Sequence, residues 1–175
     1  MKPIILASLA LALAGPVLAQ SAMEKSGINS ALGVAPKTED FVQEAAGSDM
    51  FEIESSRLAI ERSDAATKAF AQQMVADHEK TTTELTGLIS SGKVTSPVPA
   101  DMTSAQRDKL EKLKSLQGDD FTKQYHSDQE EAHEDAVDLF TRYSEGGDNV
   151  DLKAWTAATL PALKHHLEMA KGLNP

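Results

Sequence analysis

Apolar residues recur every three to four positions through most of the chain after Pro36, a period that is typical of amphipathic helices. The pattern predicts four long helices, which we label A to D, and a short helix between B and C at 103–116. Ser, Thr or Asp residues stand where each helix is expected to begin, and glycines follow three of them. The predicted long helices cover residues 38–62, 63–91, 119–144 and 148–171.

The lengths of the connections indicate how these helices are arranged. Helices A and B, like C and D, are joined by only a few residues, whereas B and C are separated by a long segment that carries the short helix. Two tight hairpins joined by one long crossover characterise the ferritin-like version of a four-helix bundle. The sequence therefore predicts an all-α, ferritin-like four-helix bundle with the crossover between its second and third helices.

The first residues show a different pattern. Residues 1–19 contain one lysine, a short apolar run and a small-residue ending, which together predict a secretory signal peptide rather than a membrane span. Residues 20–36 are small and polar without a sustained period, which predicts a flexible leader to the bundle domain at 37–175. We expect a periplasmic or secreted product after cleavage, with no integral membrane span.

Composition excludes several classes of function. The chain has 17 basic and 27 acidic side chains and a net charge of −10, which argues against nucleic acid or an anionic membrane as a partner. It contains no cysteine, so neither a disulfide nor a thiol nucleophile is available. No Gly-x-Ser-x-Gly elbow or serine with a recognisable base is present, and an enzyme is the weakest class. The sequence does not identify a protein partner.

Each long helix carries a polar residue into its apolar stripe. Glu52 and Asp49 interrupt helix A, His78 lies near the centre of the stripe of helix B with Asp77 at its edge, and His133 interrupts helix C. In helix D, His166 lies within the apolar stripe and His165 lies on the opposite side. At a rise of 1.5 Å per residue, the depths of these residues agree to within about 10 Å. One buried polar layer is expected, completed by Gln129 and His166.

Two interpretations account for such a layer. In our primary interpretation the acids and imidazoles hydrogen-bond one another and fix helix register, so the chain is a non-enzymatic structural or stress-related binding module. In the alternative they bind a divalent metal such as zinc, iron or copper. A di-iron centre needs more Glu and Glu-x-x-His ligands than the stripes provide, so a mononuclear site is expected. Met74, one turn from His78, leaves a thioether–imidazole copper site open.

Four segments carry a resemblance to a known family: "FVQEAAGSDMFEIESSRLAIERS", "FAQQMVADH", "FTKQYHSDQEEAHEDAVDLF" and "LPALKHHLEMA". In their order and spacing they resemble the exported bacterial family catalogued as domain of unknown function 4142. The resemblance covers about residues 38–173 and implies a ferritin-like bundle, but no established activity. Its recurring polar positions correspond here to Glu52, Asp77, His78, His133 and His166.

Overall fold

The computed structural model describes residues 22–173, and every regular element in this range is helical. The predicted signal peptide at 1–19 lies outside the described residues. After a helical turn at 22–25, six helices follow in chain order. They are α1 (Ile28–Ala31), α2 (Thr38–Arg62), α3 (Ala65–Ser90), α4 (Ser104–Ser115), α5 (Gly118–Gly146) and α6 (Val150–Leu173). None of the helices in residues 22–173 is long and apolar enough to cross a bilayer.

The predicted helices agree with the observed ones to within two residues at each end. The sequence-based caps were only partly correct. Thr103 forms a capping box at α4, as predicted, whereas α3 is capped by Asp64, which accepts from the Thr67 amide, and not by Ser63. Asp148, expected to begin the last helix, instead accepts from the amide and hydroxyl of Thr38. It therefore caps α2 and ties the first long helix to the turn between α5 and α6.

The long helices pack so that each one contacts two others. Helices α2 and α3 form one hairpin and α5 and α6 form another, while α2 packs on α5 and α3 packs on α6. Helix α4, within the connection at 91–117, covers α2 and α5. For residues 22–173, the predicted all-helical fold with a short helix in the long connection is thus confirmed.

Two apolar clusters fill the interior, one toward each end. The first includes Phe41, Leu85 and Phe140, and the second includes Phe70 and Phe121. On α3, α5 and α6, the layer residues identified from the sequence lie between the positions that contribute to the two clusters. On α2, Asp49 lies at the boundary between the clusters and Glu52 directly follows Phe51 of the second cluster. The polar layer is therefore enclosed by apolar side chains above and below, which limits its contact with water.

Small polar side chains allow α2 and α5 to approach closely beside this layer. Ser55 and Ser56 are fully buried. The hydroxyl of Ser56 lies 2.9 Å from that of Tyr125, and Gln129 Nε2 donates to Ser55 Oγ over 3.3 Å. These contacts close the α2–α5 face of the bundle.

The segment before α2 is attached to α5 through a buried ion pair. Arg142 donates to both carboxylate oxygens of Glu24, at 2.7 and 3.3 Å, and also to the Val34 carbonyl and Asp138. Asn29 Nδ2 donates to the same carboxylate. The side chains of Arg142 and Glu24 are only 7% and 3% exposed, so both charges depend on this network.

Arg142→Met should release this segment from α5. Without the guanidinium, Glu24 would be buried without a counter-charge, and the least costly response is for residues 22–36 to detach and rehydrate the carboxylate. Amide hydrogen exchange in 22–36 should accelerate by about tenfold or more, while the long helices remain protected. The matched control is Arg57→Met, which removes an arginine from an exposed pair with Glu79. Unchanged exchange in 22–36 would show that the ion pair does not hold the segment.

Candidate metal centre

Three histidines from three helices meet in the middle of the bundle. His78 comes from α3, His133 from α5 and His166 from α6, and all three are at most 3% exposed. Their ring centroids are separated by 5.4 to 5.8 Å. One nitrogen of each ring lies within 4.8 Å of the corresponding nitrogens of the other two. We refer to His78, His133 and His166 as the histidine triad.

The outer nitrogen of each ring is held by a hydrogen-bond acceptor. His78 Nδ1 donates to Asp49 Oδ1 over 2.8 Å, and His166 Nε2 donates to Asp77 Oδ2 over 2.9 Å. His133 Nδ1 donates to the Gln129 carbonyl, one helical turn earlier, over 2.8 Å. Because carboxylates and carbonyls only accept, each of these nitrogens carries the proton of the neutral ring. The tautomer of each histidine is therefore fixed by its partner.

The inner nitrogens are left as lone pairs without a partner. His78 Nε2, His133 Nε2 and His166 Nδ1 are buried and form no hydrogen bond with any described residue. When all three rings are neutral, three inward-facing acceptors with no donor among them are costly, because buried polar atoms are normally paired. Three buried nitrogen lone pairs that face inward are suited to bind an electron-pair acceptor, such as a metal cation.

Glu52 adds a carboxylate beside the triad. It is 1% exposed, and neither of its oxygens accepts a hydrogen bond of normal geometry from the described residues. Burial raises the pKa of Glu52 to about 7, against smaller lowering effects from the His78 charge and the nearby Gln129 amide. A buried carboxyl without a donor is the group whose ionised form a bound cation would stabilise most.

The rings differ in their affinity for a proton. Burial and the charges of the other two imidazoles lower the pKa of His133 to about 3, so this ring is neutral at physiological pH. Burial and the charge of His78 also lower the pKa of His166, in spite of Asp77. For His78, burial lowers the pKa, but the hydrogen bond and charge of Asp49 outweigh it and the pKa is raised.

The six candidate residues identified from the sequence thus fall into two groups, four at the centre of the site and two behind the imidazole rings. The triad residues bring donor atoms together, and Glu52 lies close enough to His78 for each to shift the pKa of the other. Asp49 and Asp77 lie behind the rings and bond their outer nitrogens. Met74 packs in the second apolar cluster, among residues such as Phe70.

Sequence reasoning missed the residues that orient Asp49. The hydroxyls of Thr81 and Thr82 both donate to Asp49 Oδ2 over 2.9 Å. Together with His78 they use both oxygens of this carboxylate. The run of three threonines that follows His78 by three residues was the available signal, because residues one turn apart lie on one side of a helix.

Comparisons with known proteins agree with this architecture. The family described as "Domain of unknown function (DUF4142)" matches residues 23–173. A solved structure described as "CopM in the Cu(II)-bound form" is similar over 81% of this chain and 97% of that chain, with 16% sequence identity and a TM-score of 0.65. At that identity the likeness concerns the fold alone. A comparison with curated proteins gives no significant match.

Glu52→Gln should change how the stability of the metal-free protein depends on pH. The folded protein keeps the Glu52 proton up to about pH 7, whereas a carboxyl of ordinary pKa loses it near 4.5. Between these values the folded state binds more protons than the unfolded state, so this carboxyl lowers stability as pH rises. Between about pH 4 and about pH 8, the free energy of unfolding of the wild type should fall by about 3 kcal/mol relative to that of Glu52→Gln.

Urea unfolding at a series of pH values measures this difference. The matched control is Glu54→Gln, which removes an exposed carboxylate from the same helix. If the difference in unfolding free energy between the wild type and Glu52→Gln stays constant across the range, the fold does not hold Glu52 protonated.

Proposed function

This chain belongs to the DUF4142 family, and we propose that it binds a divalent metal ion at the histidine triad. Glu52, whose oxygens lie outside that group of close donor atoms, would become a fourth ligand by turning its side chain toward the ion. Metal binding was the alternative interpretation of the sequence. The observation that carries it is the set of buried atoms without partners: three imidazole nitrogens that converge and a carboxylate beside them. We propose no catalytic role.

The donor set fits a metal in its chemistry as well as its position. Metal-binding histidines typically donate their second nitrogen to a carboxylate or a backbone carbonyl, which fixes the tautomer and orients the ring. All three triad residues follow this rule, through Asp49, Asp77 and the Gln129 carbonyl. A cation would also remove the cost of burying Glu52, because it would stabilise the ionised carboxylate.

The register-setting interpretation explains only the outer hydrogen bonds. A layer selected only to fix helix register would gain most by pairing its polar atoms with one another, as buried networks do. Here the inner atoms of the layer face one another as acceptors. Register setting therefore explains the partners of the three outer ring nitrogens, and a bound cation would provide a partner for the three inner ones.

Nitrogen and oxygen donors favour borderline cations such as Zn²⁺ and Cu²⁺ over Cu⁺, which prefers sulfur. The Cu(II) bound in the similar solved structure supports copper as the first ion to test. We further propose that the four long helices form a ferritin-like arrangement, and that the mature protein is periplasmic. Its role there would be to hold or buffer the ion, in keeping with a non-enzymatic binding module.

Metal should stabilise the wild-type protein but not the triad variants. A ligand that binds only the folded state adds RT ln(1 + [L]/Kd), about 2.7 kcal/mol at a hundredfold excess over Kd. Thermal melts of untagged, chelator-stripped protein with copper, zinc, manganese and iron, one at a time, measure this rise. We expect it to be lost in His78→Ala, His133→Ala and His166→Ala.

His165→Ala is the matched control, because His165 adjoins His166 but is exposed. It should keep the full rise. If intact wild-type helices show no metal-dependent rise, metal binding is refuted and the register-setting layer stands. A rise that survives in all three triad variants would place the metal elsewhere.

Asp49→Ala and Asp77→Ala should weaken metal binding without removing a ligand. Each frees the outer nitrogen of one ring, so that the ring loses its orientation and some of its basicity. We expect the dissociation constant to rise by about 10- to 100-fold in each variant, measured by competition with a chromophoric chelator. Asp108→Ala, at an exposed position on α4, should bind as the wild type does. Wild-type affinity in both variants would contradict an orienting role.

A further inference from the structure

A cleft between α3 and α6 leads from the surface to the histidine triad. Its volume is about 240 Å³, and its walls include His78 and His166 of the triad. Asp77, Thr81 and Trp155 also line it. His133 and Glu52 do not contribute to its walls, so the cleft reaches the triad from one side only.

Small side chains on α6 keep the cleft open. Ala158 and Ala162 lie one turn apart on its wall and are themselves exposed to solvent. Between them Pro161 interrupts the backbone hydrogen bonds of the helix. Three of the α6 residues that line the cleft, Ala158, Thr159 and Ala162, are small, and apart from the triad histidine the larger ones are Trp155 and Leu163.

Two other faces of the bundle are closed at the level of the triad. Between α2 and α5, Ser56 contacts Tyr125 and Gln129 contacts Ser55. Between α2 and α3, Asp49 bonds Thr81 and Thr82. The cleft, whose walls include His78 and His166, therefore offers a path from solvent toward the triad.

Acidic groups line this path. The side chain of Asp77 is 42% exposed, and only its Oδ2 bonds His166. Glu84, 41% exposed, accepts from Trp155 Nε1 in the same cleft and forms an exposed ion pair with Lys80 over 3.8 Å. Carboxylates in a concave site concentrate cations and raise their rate of arrival. Asp77 is thus both reachable from solvent and joined directly to a triad ring.

We propose that the α3–α6 cleft is the route by which a small hydrated divalent cation enters and leaves the triad, and that Asp77 is the cleft carboxylate it meets next to the triad. This inference rests on the proposed metal binding and adds the path of exchange. A cleft of about 240 Å³ has room for an aquo ion or a small chelate. It selects against direct transfer from a site buried in another protein.

The single tryptophan of the chain reports on entry, because Trp155 lines the cleft and Cu²⁺ quenches indole fluorescence. Stopped-flow mixing of stripped, untagged protein with copper(II) chloride gives the loading rate, and mixing of the loaded protein with excess EDTA gives the stripping rate. Ala162→Phe narrows the cleft without changing any ligand. Ala158→Phe is a second, independent obstruction should the first disturb the helix, which circular dichroism would reveal.

We expect both obstructed variants to load and strip at least about tenfold more slowly, a barrier increase of about 1.4 kcal/mol, with an unchanged dissociation constant. Entry and exit slow together because they share one path. The control Ala157→Phe adds the same ring at an exposed position of α6 outside the cleft and should match the wild type. Asp77→Asn, which keeps an oxygen for His166, should load more slowly at low ionic strength, and the difference should shrink in salt.

The outcomes separate the two proposals. Wild-type rates in both obstructed variants, with metal still bound, would overturn the cleft as the route and leave the metal site intact. Equal loading of Asp77→Asn and wild type at low ionic strength would overturn the role of Asp77. Failure of the wild type to bind copper, zinc, manganese or iron would overturn the proposed function and the route together.

Discussion

The cost of burying polar rings governs the centre of this bundle. An imidazole offers two nitrogens, and each one needs a partner once water is excluded. The fold satisfies the outer nitrogens with Asp49, Asp77 and a backbone carbonyl, and this choice turns the inner nitrogens into acceptors. The same exclusion of water raises the pKa of Glu52 and lowers that of His133.

The apolar clusters on either side make the arrangement rigid. A shift of one residue along any long helix would turn its side chains by about 100°, moving a histidine out of the layer and an apolar residue out of its cluster. The hydrophobic contacts and the polar layer therefore specify the same helix register. Thr38 and Asp148 add a further constraint where α2 meets the turn between α5 and α6.

The sequence was sufficient to locate the layer but not to assign its bonds. Helical periodicity fixed which side of each helix His78, His133 and His166 face, because facing is a local property of a regular helix. It could not show that Asp49 and Asp77 act from behind the rings, since that depends on the side-chain geometry of residues brought together by the fold. The Glu24–Arg142 pair was missed for the same reason: its partners are 118 positions apart.

The long connection at 91–117 also bears on the order of events during folding. It separates the hairpin that carries Glu52 and His78 from the hairpin that carries His133 and His166. Each hairpin is built from contacts close in sequence, which form early, whereas docking of the hairpins must bridge the connection and is slower. Neither hairpin alone assembles three imidazoles. A newly synthesised chain thus acquires its full set of donors only when it is completely folded, so the native state and the binding-competent state arise in one step.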